Sequence, residues 1–242
     1  MPFCHYVIRY IINDMELFTI DHFLQLLGEG EAFALTRFND GEARGIFRVG
    51  DTVARGMQKV PPDLSAALRA AAEHVQDNYY VGIPCEKCYP KWNAKMLDII
   101  STDLVTYATV TTNENLKKVY KQFPKLLRHR FLTWVGAYQH DLEALEMSAN
   151  ILTSYYIPVR NKNAWGDYGR IVDLHDRFPE RSVVLLSCGP LAEVLIHQWF
   201  MKRPDLTLID VGSTFDPYTK NVWNRCHKGT LKYCSICNRV KS

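Results

Sequence analysis

The sequence of 242 residues carries 29 Lys and Arg against 26 Asp and Glu, a net charge of +3 at pH 7. With 47% hydrophobic and 23% charged residues, it has a globular composition that leaves no stretch disordered, and its length suits one large α/β domain. So small a positive excess does not by itself argue for nucleic acid as partner and suits one local basic site for a phosphate-bearing ligand; no apolar run reaches the ~18 residues of a membrane span.

In chain order, residues 20–27 read as a helix ending at Gly28, and 32–37 as a strand. A Pro-Pro-Asp entry opens a helix over 64–75, with Pro62 and Asp63 near its start. A strand over 79–83, a helix over 91–100 and a β-branched strand over 104–111 follow. Residues 115–128 form a basic amphipathic segment, 131–135 a strand, 141–149 a helix and 153–159 a strand. A helix over 165–178, a continuous apolar strand over 182–187, a helix over 191–200 and a last strand over 206–211 complete the alternation. Apolar strands between helices predict a Rossmann-like, mostly parallel sheet with helices on both faces. Ligands in such sheets bind beyond the carboxyl ends of the strands. Residues 1–220 form one domain by this reading, and 221–242 a basic, cysteine-bearing segment outside the alternation.

Four segments could carry chemistry. Arg37-Phe38-Asn39-Asp40-Gly41-Glu42 directly follows a strand. Two carboxylates flanking a glycine can point at one hard cation such as Mg²⁺ or Mn²⁺, and Arg37 adds charge for a phosphate. Taken alone, Asn-Asp-Gly reads first as an ordinary solvated turn. In the second segment the 182–187 strand runs through Ser187 into Gly189 and Pro190, offering a helix N-terminus to a phosphate or ribose. With one glycine only, no dinucleotide fingerprint is present. Asp210, Gly212, Ser213 and Asp216 close the last strand, where a doubly wound sheet keeps its ligand, or where a capping Asp and a turn would stand. The fourth segment places Arg160, Lys162 and Asn163 between Pro158 and Trp165; the cations could reach a diphosphate, and Asn163 is equally an N-cap.

Together and in order, these segments resemble the GT-D glycosyltransferases, a family first catalogued as a domain of unknown function. That family's Arg-Phe-Gly-Asp-Gly-Glu is matched by Arg37 to Glu42 with Asn39 in place of Gly. Its proline followed by Lys-Asn-Ala and an aromatic corresponds to Pro158, Lys162, Asn163, Ala164 and Trp165. Its strand ending in Gly-Pro matches Gly189 and Pro190, and its closing Asp-x-Gly with a later Asp matches Asp210, Gly212 and Asp216. The likeness spans residues 33–223. The family's Gly- and Asn/Asp-rich segment is kept only loosely here, as Val135-Gly136-Ala137-Tyr138-Gln139-His140-Asp141.

The resemblance implies a Rossmann-like fold, a sugar-nucleotide donor with UDP-sugars first, a glycan or other hydroxyl acceptor, and a divalent cation at the Asp-x-Glu motif. Asp40 and Glu42 would hold the cation or donor, with Arg37, Arg160 and Lys162 toward the diphosphate. An inverting enzyme also needs a carboxylate base near the acceptor hydroxyl, for which Asp216 and Asp141 are the candidates.

Seven cysteines, an odd number, argue for reduced thiols and a cytoplasmic protein rather than a disulfide framework. The N-terminal residues 1–12 lack the layout of a signal peptide. Two Cys-x-x-Cys pairs, Cys85 with Cys88 and Cys234 with Cys237, could share a structural Zn²⁺, although ordinary thiols read as well. The basic tail invites one other class, a nucleic-acid-binding protein with a zinc-knuckle-like end. A non-catalytic nucleotide-binding protein is a third reading, against which the Asp40 and Glu42 pair stands.

Overall fold

A computed structural model describes residues 17–50, 52–53, 58–160 and 162–219, with the backbone of 232–233 and 240–241. Seven strands form one wholly parallel sheet: β1 (Ala34–Arg37), β2 (Tyr79–Ile83), β3 (Val105–Tyr107), β4 (Leu132–Ala137), β5 (Tyr155–Val159), β6 (Val183–Ser187) and β7 (Thr207–Asp210). Their order is β3-β2-β1-β7-β6-β4-β5. The last strand thus lies between β1 and β6, pairing Leu35 with Ile209 on one side and Leu186 with Asp210 on the other.

Every strand falls inside an expected span except β4, which runs two residues past the expected 131–135 to Ala137; each is a short apolar run bounded by breakers. Alternate residues serve opposite faces. Ala34, Val81, Val184, Leu186 and Leu208 join one core, while Leu35, Tyr80, Val183, Leu185 and Ile209 join the other. Helices α2 (Asp40–Phe47), α3 (Pro62–Glu73), α4 (Pro90–Leu97) and α7 (Leu191–Lys202) cover the first core. Helices α1 (Ile20–Glu29), α5 (Leu116–Leu127) and α6 (Leu142–Ala149) cover the second.

Three other local expectations are corrected. Helix α1 runs past Gly28 to Glu29, and Gly30, at φ 75°, closes it by donating to the carbonyls of Leu26 and Leu27. The strand expected over 104–111 stops at Tyr107, and successive turns carry the chain to Thr111. Gly82 permits this path, since a Cβ there would stand 2.8 Å from the Thr36 carbonyl oxygen and 3.1 Å from Ala108 Cα. The helix expected over 165–178 is broken into a 3-10 turn (Ala164–Asp167), one α turn (Tyr168–Ile171) and a second 3-10 stretch (Val172–Arg177). Gly166 and Gly169 weaken it, and Asp167 turns back to accept from the Arg160 N–H at 2.7 Å.

Among the described residues no helix is long and apolar enough to cross a membrane. The proposed boundary at 220, together with Cys234, Cys237 and the basic tail side chains, lies outside the described residues.

Candidate active site at the carboxyl ends of β1, β6 and β7

The sequence around Asp40 does not form a solvated turn; it opens α2. Asn39 is the N-cap, its Oδ1 accepting from the Asp40 N–H at 3.0 Å, and Asp40 and Glu42 fill the acidic first turn. Short polar caps and early carboxylates favour a helix start because they answer its free N–H groups and dipole. Asp40 lies 4.0 Å from Arg44, both side chains partly exposed.

Arg37 forms the floor. Its Nε donates to Asp210 Oδ2 at 3.0 Å, and its Nη1 donates to Thr111 Oγ1 at 2.8 Å. Asp210 Oδ1 accepts from the Gly212 N–H at 2.7 Å. Ser187 Oγ donates to the Gly212 carbonyl at 2.7 Å, and Thr214 Oγ1 lies 3.2 Å from Thr111 Oγ1. Gly212 has φ 47°, and a Cβ there would collide with Arg37 Nη2, so only glycine lets the guanidinium lie flat against the turn. Gly189, at φ 61°, swings the chain from β6 into Pro190 and α7.

The electrostatics are those of crowded carboxyls around one buried cation. Glu42 is half-buried, and desolvation pushes its carboxyl up to about 7. A backbone hydrogen bond and Arg37 pull it down, while Asp210 and Asp40 press it higher. Glu193, in the first turn of α7, is raised well above the carboxylate range by burial, then by Asp210 and Glu42. Burial likewise raises the Cys188 thiol, with Asp210 and Glu193 adding to it.

Sequence analysis did not single out Glu193, Thr111 or Thr214. Glu193 had a legible signal: it is the lone carboxylate in the otherwise apolar opening Leu191-Ala192-Glu193-Val194-Leu195-Ile196. Thr111 had none, because the turns after β3 bring it to Arg37.

The remaining expected residues lie elsewhere. β5 is four strands from β1, about 19 Å at the usual ~4.8 Å spacing, so Arg160 and Lys162 stand toward the far side of the sheet. Arg160 Nε lies 3.7 Å from Asp167, and Lys162 is exposed. Asn163 occupies the N-cap position without capping. Its left-handed backbone, at φ 55°, turns the side chain to accept from the Lys59 N–H at 3.1 Å. Trp165 anchors the same loop by donating to Asp63 at 2.9 Å. Asp141 is the N-cap of α6, its Oδ1 accepting from the Ala144 N–H at 2.8 Å. Asp216 is buried at the start of a single helical turn, and Ser213 is partly exposed. Cys85 is buried, with half-buried Cys88 and Tyr107 packed against it. Among the described residues no group of three or more His, Cys, Asp or Glu could by itself hold a metal.

This arrangement, a parallel sheet with clustered charged side chains at the carboxyl ends of its central strands, defines a Rossmann-like α/β fold. Solved structures share it. One, described as showing that the highly conserved domain of unknown function 1792 has a distinct glycosyltransferase fold, superposes with a TM-score of 0.67 at 16% identity, covering 88% of this chain and 84% of that one. Another, described as a new glycosyltransferase of the same domain from Streptococcus sanguinis, gives 0.66 at 15% identity and covers 95% of both chains. No protein-family model matches the sequence, and no curated protein matches it significantly.

Proposed function

We propose that the protein is a glycosyltransferase that moves a sugar from a nucleoside-diphosphate donor, UDP-sugars first, to a hydroxyl of a glycan or glycoconjugate. The observation that carries this reading is the charged cluster itself: Glu42, on the first turn of α2 with Asp40, lies within electrostatic reach of the Arg37–Asp210 pair, on a fold shared with a structure described as a glycosyltransferase. Transfer of a glycosyl group passes through an oxocarbenium-like transition state while a diphosphate leaves with growing negative charge. Arg37 supplies a fixed positive charge that needs no reorganisation, because Asp210 and Thr111 already hold it. The first-turn N–H groups of α7, beyond Gly189 and Pro190, and the turn at Gly212 and Ser213 add oriented dipoles.

Asp40 and Glu42 suit a divalent cation, Mn²⁺ or Mg²⁺. Both are oxygen donors, and the charges of Asp40 and Asp210 bearing on Glu42 would be relieved by a cation. Such ions take one or two carboxylates and complete their shell with substrate phosphate and water. Bound there, the ion would supply Lewis-acid stabilisation of the departing diphosphate. Of the two candidate bases, Asp141 is exposed and Asp216 buried, which favours Asp141 for an acceptor hydroxyl. Arg160 and Lys162 would serve the far part of the donor or the acceptor.

The test is donor turnover over a panel of nucleotide sugars with Mn²⁺, for the parent and for Asp40→Ala and Glu42→Ala. The parent should consume a donor, and each variant should lose on the order of 10²-fold or more while keeping its circular dichroism spectrum. UDP with Mn²⁺ should also raise the melting temperature of the parent. Folded variants with near-parental turnover would show the site to be misplaced.

A further inference from the structure

Outside the charged cluster a second group of cations stands against aromatic rings rather than carboxylates. Helix α2 ends at Phe47, with Arg48 as its C-cap, and meets α4 through Trp92. The Phe47 and Trp92 rings are stacked, 6.4 Å between centres and 18° between planes. Arg48 Cζ lies 5.6 Å and Lys91 Nζ 5.4 Å from the centre of the Trp92 ring, and Lys95 Nζ lies 4.8 Å from that of Phe47. Arg48 and Lys91 are exposed, while Lys95, Phe47 and Trp92 are half-buried. Among the described residues Lys91 and Lys95 form no ion pair, Asp98 at the end of α4 included. Glu86, which precedes α4, accepts from the Tyr107 hydroxyl at 2.7 Å.

An ion pair cancels charge, whereas a ring face holds a cation in place and leaves its charge whole. Lys91 and Lys95 therefore present undiminished positive charge at fixed positions, with Arg48 beside them, and such a field attracts anions. The patch is joined to the proposed site along α2. Arg44 stands one turn before Arg48 and 4.0 Å from Asp40, and Asp40 to Arg48 is about 12 Å along the helix.

We infer that this patch binds the acidic part of the acceptor, a glycan carrying carboxylate, phosphate or sulfate groups, whose reacting hydroxyl lies at the charged cluster. That the ligand is an acceptor rests on the function proposed above; the preference for an acidic glycan is read from the patch. Two other polyanions fit it less well. Single-stranded nucleic acid stacks its bases on open ring faces, and here cations and ring stacking engage those faces. A membrane surface takes up outward-pointing apolar side chains, and both rings here pack against the first core. A glycan with acidic groups along its length asks for cations held in place, which the rings supply.

The test is calorimetric titration of the whole protein with hexagalacturonate and with neutral maltohexaose at low salt. The parent should bind the acidic oligosaccharide and not the neutral one, with affinity falling as salt rises. Lys91→Gln combined with Lys95→Gln should weaken binding on the order of tenfold while keeping the circular dichroism spectrum. Lys117→Gln combined with Lys121→Gln removes the same charge from exposed positions on α5, on the other face of the sheet. That control should stay within about twofold of the parent. Should the first combination disturb the fold, Lys91→Glu alone, at an exposed position, should show the loss. A parent that ignores hexagalacturonate, equal binding of maltohexaose, or equal weakening in both combinations would overturn the inference. So would a parent that binds phosphatidylglycerol vesicles through Lys91 and Lys95 but no hexagalacturonate. A parent that binds hexagalacturonate through these lysines yet turns over no nucleotide sugar would sink the functional reading and leave an acidic-glycan site.

Discussion

The two ends of the sheet's carboxyl edge are built differently. At β1, β7 and β6 the polar side chains are interlocked: Arg37 holds Asp210 and Thr111, Asp210 holds the Gly212 N–H, and Ser187 holds the Gly212 carbonyl. At β5 and the start of α6 the charged side chains Arg160 and Asp141 are exposed and bound locally. Arg160 pairs with Asp167 a few residues on, and Asp141 caps its own helix. The first end resembles a core that happens to be charged, and the second resembles loops laid on a scaffold. Substitution at the first end should therefore damage fold and function together, and at the second end should cost little stability.

The largest expected effect is at Arg37. Replacing it with Ala removes one partner of a buried pair and should cost about 3–5 kcal/mol, read from urea unfolding. Arg160→Ala, whose guanidinium is largely exposed, should stay within about 0.5 kcal/mol of the parent. Comparable losses at both sites would erase the distinction drawn here.

A smaller effect should follow pH. The folded Glu42 carboxyl, at about 7 against an ordinary 4.5, keeps a proton that the unfolded chain releases. Its contribution is full below the unfolded value and is lost as pH rises through the folded one. With chelator present, parental stability should fall relative to Glu42→Gln by on the order of 2 kcal/mol between pH 4.5 and 8, allowing for the part of the side chain in solvent. Parallel melting curves for the two proteins across that range would refute the desolvation of Glu42.

The smallest effect belongs to the cap at Asp141. Asp141→Ala should cost about 1 kcal/mol and Asp141→Asn much less, since Asn caps nearly as well. Neither should change UDP affinity as measured by calorimetry. A large loss of UDP affinity in Asp141→Asn would move this residue into the donor site.

The strands were the most legible part of the molecule, because a strand buried on both faces is written as a continuous apolar run such as Val183-Val184-Leu185-Leu186. Helix α2 was hidden by composition. Asp40 to Phe47 contains two glycines and little hydrophobic periodicity, and its start depends on the Asn39 cap and early acids. The motif residues Arg37, Asp40, Glu42, Asp210 and Gly212 could be picked out because each sits at a strand end or just beyond it. Their partners could not, since Thr111 and Glu193 reach the cleft through packing between elements distant in sequence. Arg160 and Lys162 show the converse: a basic turn at a strand end reads as part of the site, yet strand order, which short motifs do not encode, puts it across the sheet.

The placement of β7 has a consequence for how the molecule is made. A nascent chain that has not yet reached Thr207 has β1 and β6 as two open edges where the finished sheet is continuous. Such edges invite pairing with other chains. Sheet closure and completion of the Arg37–Asp210 pair are then one late event, spanning 173 residues of separation. High contact order of this kind slows folding and prolongs exposure of partly folded states. Truncations ending before residue 207 should aggregate during synthesis, and the intact chain should become active only after its last strand docks.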